Sequence, residues 1–115
     1  MSLAKKLNLK EGARLRVIGR PKGVELGDVT VTSLANVKDV LVFVARLADV
    51  ETVCAPVIDS ARADRLAWAA YPKAGQLGTD LDRNVLCKAL EKKGIQPVRQ
   101  IALDDVWSAL RFRPS

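Results

Sequence analysis

The sequence predicts an α/β fold, a three-layer open sheet of about six strands, mostly parallel, with two main helices and a C-terminal antiparallel hairpin. Three observations carry this. Two apolar runs, Val40 to Ala45 and Leu66 to Tyr71, have no polar face, as strands covered on both sides should not. Between and after them, apolar residues recur at three- and four-residue spacing with charges between, the signature of helices burying one stripe. Near the C-terminus, Pro97 to Leu103 and Ser108 to Arg113 read as two strands joined at Asp104-Asp105-Val106-Trp107, for which a hairpin is the economical pairing.

Length and composition fit that class. A chain of 115 residues with 49% apolar and 28% charged residues can bury a core unaided, which makes residues 1–115 one α/β domain and disorder a poor description. No apolar run is long enough to span a membrane, so the expectation is a soluble protein without a membrane partner. Met-Ser-Leu-Ala-Lys-Lys-Leu has no apolar stretch after its lysines and does not read as a secretory signal, which makes cytoplasmic residence the default. Cys54 and Cys87 lie on different predicted helices with no His or CxxC beside them, so both are read as free thiols, with no metal site and no cofactor expected.

The net charge of +6 is localised. Residues 1–22 hold seven Lys/Arg against Glu11 alone, whereas residues 23–115 hold twelve of each sign. Such a segment can attract nucleic acid, but it contains no aromatic residue to stack on bases, and a solvated basic face outranks that reading.

Taken in order, Ser2 caps a short helix in which Leu3, Ala4 and Leu7 share a side, and Gly12 closes a basic helical preface over residues 1–12. Arg14 to Gly19 enters the sheet as a strand, Arg20-Pro21-Lys22-Gly23 turns, and Asp28 to Thr32 forms a short alternating strand expected at an edge. Val40 to Ala45 is the strongest β-run. Leu47, Val50, Val53, Cys54, Val57, Ile58 and Ala61 then share a helix face that Pro56 kinks or breaks in two. Leu66 to Tyr71 is the inner strand, its alanines leaving room for helices and Pro72 ending it. Thr79-Asp80-Leu81-Asp82 resembles a capping box before a helix over Leu81, Val85, Leu86, Ala89 and Leu90, which Gly94 stops. Right-handed crossovers place the strands of residues 14–19, 40–45 and 66–71 side by side and parallel.

Two resemblances add to this. Leu3-Ala4-Lys5-Lys6-Leu7, Tyr71-Pro72-Lys73 and above all Asp105-Val106-Trp107-Ser108-Ala109-Leu110-Arg111-Phe112, a D-x-W-S-x-L-R-F ending, resemble a bacterial family of small uncharacterised proteins with these landmarks in this order. That family implies no activity, and its members often carry a helix between the first two strands, where this chain is shorter. The order of elements is also similar to that of S-adenosylmethionine-dependent methyltransferases, a Rossmann-like fold ending in an antiparallel strand pair. Their Gly-rich cofactor loop is replaced here by Ile18-Gly19-Arg20-Pro21-Lys22-Gly23, and Thr32-Ser33 supplies no acid to hold a ribose. The resemblance therefore implies a truncated fold of that type without methyl transfer.

Without histidine the commonest general base is missing, and Asp104-Asp105 reads as a solvated hairpin tip. The best constellation is at strand ends: Ile18-Gly19-Arg20, Val44-Ala45-Arg46 and Tyr71-Pro72-Lys73 each finish in a cation, with Lys22 just beyond the first. In an open α/β sheet those ends share one edge, where ligands bind at the crevice between strands of reversed order. Arg20, Lys22, Arg46, Lys73 and Thr79 are thus the candidate binding residues for an anionic, phosphate- or carboxylate-bearing small molecule, with no catalytic residue assigned. The plain alternative is that strands often end in a cation because the chain is emerging into water. A protein-interaction module using the hairpin residues Trp107 and Phe112 is a second reading, although a buried Trp107 is the better expectation. A small enzyme with Lys73 and Tyr71 as acid and base is a third. Trp107 and Phe112 differ in strand parity, which predicts a bulge near Ser108 if both are buried.

Overall fold

A computed structural model describes residues 2–115 and arranges six strands in one mixed sheet. The strands are β1 (Arg14–Ile18), β2 (Thr30–Thr32), β3 (Val40–Phe43), β4 (Ala67–Pro72), β5 (Ile95–Ala102) and β6 (Trp107–Pro114). The helices are α1 (Leu3–Lys6), α2 (Val50–Val53), α3 (Ala55–Arg62) and α4 (Arg83–Glu91). Across the sheet the order is β2-β1-β3-β4-β6-β5. Strands β1 to β4 run parallel, and β6 runs antiparallel to both of its neighbours. The three expected strands do lie side by side, and β2 does sit at an edge.

Residue choice in β4 explains its central place. All six of its residues are buried, with Ala67, Ala69 and Tyr71 on one face and Trp68 and Ala70 on the other. On the first face, Val40, Val42, Val44, Leu110 and Phe112 meet the apolar stripes of α2, α3 and α4, including Val57, Leu86 and Leu90. On the second face, Leu15, Leu41, Phe43, Trp68 and Trp107 lie under Leu7, Leu9, Val24 and Leu26.

That second cover corrects the expectation of helices on both sides. It consists of the four-residue α1 and two loops, because residues 19–29 cross from β1 to β2 as an irregular loop with tight turns at Gly23 and Gly27. A connection that short has no room for a helix that could pack along the sheet. The N-terminal preface is instead built into the core: Leu7 is fully buried, and Trp68 Nε1 donates to the Leu7 carbonyl at 3.2 Å. Phe43 and Trp107 stack edge to face 5.2 Å apart beneath it, a geometry contributing about 0.5–1.5 kcal/mol beyond area burial.

One local expectation is resolved and two change. The break before Pro56 is complete: a 3₁₀ turn (Leu47–Asp49) and α2 precede α3, and Pro56 falls in the first turn of α3, where its missing N–H has no carbonyl to serve. The cap of α4 is Asp82 rather than Thr79, since Asp82 accepts the Val85 N–H at 2.8 Å. The bulge lies in β5, not near Ser108. The β5/β6 register shifts between Pro97 and Arg99, leaving Val98 as the extra residue, while β6 runs unbroken along β4. Trp107 and Phe112 are both buried because the two faces of β6 are both covered, so their opposite parity needs no irregularity.

Candidate functional site

Parallel strands β1, β3 and β4 deliver their C-terminal ends to one edge of the sheet, joined there by the start of β6, since Pro72 lies opposite Trp107. Lys73 follows β4 directly, Arg20 comes two residues after β1 and Arg46 three after β3, so the strand order brings the exit cations to one edge. The order reverses between β1 and β3, which neighbour each other although β2 intervenes in sequence. At that point the backbone is tight. Gly19 has φ +74°, and a Cβ placed on it would stand 3.3 Å from the Phe43 carbonyl oxygen.

Crevices divide the edge. Arg20 lines one of about 510 Å³ with Val17, Val31 and Leu34, and Lys22 lines another of about 380 Å³ with Leu77, Asp104 and Trp107. Arg46 and Lys73 line neither. Arg46 is exposed and Lys73 is half-buried, its backbone N–H donating to the Val106 carbonyl at 2.7 Å. The fifth candidate, Thr79, has its hydroxyl committed: it donates to the Ala45 carbonyl and accepts from the Leu81 N–H. Thr79 therefore ties the segment after β4 to the end of β3.

Three carboxylates of this edge are occupied by backbone amides, while Asp49 and Asp105 are exposed. Asp80 accepts the Leu47 N–H at 2.8 Å, Asp82 caps α4, and Asp104 accepts the N–H groups of Val106 and Trp107 at 2.8 and 2.7 Å. Helix N–H groups that the sequence offered to an anion are thus partly taken by the chain's own acids. The cations are left over. Ion pairs among the described residues join Arg65 to Asp39, Lys93 to Glu51 and Arg113 to Asp64, and none involves Arg20, Lys22, Arg46 or Lys73.

Other candidates have clear environments. Tyr71 is 3% exposed, its hydroxyl accepts from Gln100 Nε2 at 3.2 Å, and burial pushes the phenol above its ordinary pKa. Cys54 and Cys87 are free and buried; burial pushes the Cys54 thiol up to about 12 and raises Cys87. Trp107 at 5% and Phe112 at 0% exposure present neither ring at the surface. Among the described residues no group of three or more His, Cys, Asp or Glu is placed to hold a metal ion, and no helix is long and apolar enough to cross a membrane.

Sequence reasoning missed two recesses. One, of about 510 Å³, runs between α3 and β1 and is lined by Arg16, Lys38, Pro56, Asp59 and Arg65. The other lies at the entry end of β4 and β1, beside Arg111. Neither has a sequence signal, because each joins residues of elements and loops far apart in the chain. No protein-family model matches the chain, and no curated protein matches its sequence.

Proposed function

We propose that this protein is a non-catalytic binding module for an anionic small molecule, carrying phosphate or carboxylate, at the edge where β1, β3 and β4 end. The observation that carries this reading is that the edge gathers cations without ion-pair partners while three of its carboxylates, Asp80, Asp82 and Asp104, are spent on backbone amides. Arg20 and Arg46 flank the reversal of strand order, the position where open α/β sheets take ligands. Support for a reduced Rossmann or methyltransferase-like sheet comes from the order β2-β1-β3-β4 followed by an antiparallel pair. Binding is favoured over catalysis because Tyr71 is buried with a raised phenol pKa, leaving Lys73 without the acid–base partner offered for it. Two free, buried thiols suit a reducing compartment such as the cytoplasm.

The test is an amide NMR titration with inorganic phosphate and, separately, acetate at constant ionic strength. Saturable shifts clustered at Gly19 to Gly23, Ala45 to Leu47 and Lys73 to Thr79 are expected. Small shifts spread uniformly over the chain would reject the site.

A further inference from the structure

At the opposite end of the sheet, where β4 begins, a recess of about 490 Å³ is lined by Asn8, Lys10, Asp39, Asp64, Arg65 and Arg111, among others. Its two carboxylates are already matched. Asp39 accepts the Leu66 N–H at 3.0 Å and faces Arg65 Nε at 3.4 Å. Both oxygens of Asp64 are engaged by Arg113, from Nε at 3.0 Å and Nη2 at 3.2 Å, which together with the more distant Arg111 holds the carboxyl below its usual range.

Lys10 and Arg111 have no such partner. Among the described residues, Arg111 Nε is the one buried side-chain nitrogen or oxygen without a hydrogen-bond acceptor. A buried donor left unmet is destabilising, the more so when the group is charged. A second feature compounds this. The β5 bulge sets Arg99 directly across from Arg111, and like charges facing each other across two strands repel. Arg99 Nη1 donates to Asn8 Oδ1 at 3.2 Å, which draws the Leu7–Ala13 loop over the same place but supplies no negative charge.

We propose that this recess is a second anion site, in which a phosphate or carboxylate oxyanion accepts from Arg111 and Lys10. A planar guanidinium suits two oxygens of one such group, and the ammonium of Lys10, which lines the same recess, supplies a point charge. The oxyanion also neutralises the Arg99/Arg111 pair. The site is independent of the exit-edge reading, because the two lie at opposite ends of β4: Arg111 pairs with Trp68, whereas the exit edge begins at Pro72.

The test follows the arginine side-chain Nε–Hε resonances of ¹⁵N-labelled protein during titration with inorganic phosphate, with sodium acetate, and with sodium chloride at matched ionic strength. The Arg111 resonance is expected to move saturably with phosphate. A matching response to acetate assigns a general oxyanion site, and its absence assigns phosphate. Lys10→Ala, a change at an exposed position, is expected to weaken binding about tenfold, the loss of one charge-assisted contact. Arg111→Lys is expected to abolish saturation in the amides of Asn8 to Ala13. A response that chloride reproduces, or wild-type affinity in Lys10→Ala, would overturn the proposal. Amides of Gly19 to Gly23 report the exit edge in the same spectra, so either site can fail without the other.

Discussion

Cys54 has no exposed surface, and its thiol, ordinarily near 9.0, titrates at about 12 because burial disfavours the thiolate. Folding therefore keeps this proton. The associated stability is full below the unfolded value of 9.0 and is lost as pH rises from there towards about 12. Two outcomes follow: a thiol reagent at neutral pH labels neither cysteine faster than the protein unfolds, and Cys54→Ala flattens the alkaline decline in stability measured by urea denaturation. Rapid labelling of native protein would contradict the burial. Gly19 is constrained differently. An alanine there must hold φ near +74° and crowd a backbone oxygen 3.3 Å away that cannot swing aside. Gly19→Ala should lose about 1–2 kcal/mol in denaturant unfolding, the penalty of a left-handed conformation. Asp82→Ala should lose about 0.5–2 kcal/mol through the vacated cap of α4, whereas Thr79→Ala should loosen the β3 exit without fraying that helix.

Element by element, the sequence was most legible where both faces of a strand are buried. Val40 to Phe43 and Ala67 to Pro72 contain no polar residue to confuse the pattern, so their existence, direction and adjacency could be read directly. Parity misled at the hairpin. Trp107 and Phe112 point to opposite faces, and only three-dimensional coverage reveals that both faces are dry. The bulge at Val98 left no signature either, although it does essential sorting: Ile95 is buried under α4, whereas Ile101, at the same sequence parity, packs against the other core. Removing one residue there would turn one of the two isoleucines to the wrong side. Deletion of Val98 is accordingly expected to destroy cooperative thermal unfolding, while Val98→Ala, at a side chain 47% exposed, should shift stability by no more than about 0.5 kcal/mol. A deletion variant that melts like the parent would show that the register is set by something else.

At the scale of the whole molecule, strand order gathers residues far apart in the chain at one edge of the sheet. Arg20, Arg46 and Lys73 lie far apart in sequence, and their arrival at one edge was legible because it needs only parallel strands and short exits. What the sequence could not convey was pairing: which carboxylates would fold back onto backbone amides, which hydroxyl would be consumed as Thr79 is, and which cations would be left over. Those outcomes depend on loop conformations at Gly75 and in the Asp104 turn rather than on residue type. The most direct check is the affinity of inorganic phosphate for the parent and for Arg20→Ala/Arg46→Ala, measured by amide shifts at the exit edge. Two contacts to a charged group should make the double variant at least about tenfold weaker, with its fold unchanged. Equal affinity at that edge would contradict the assignment of these arginines to a ligand.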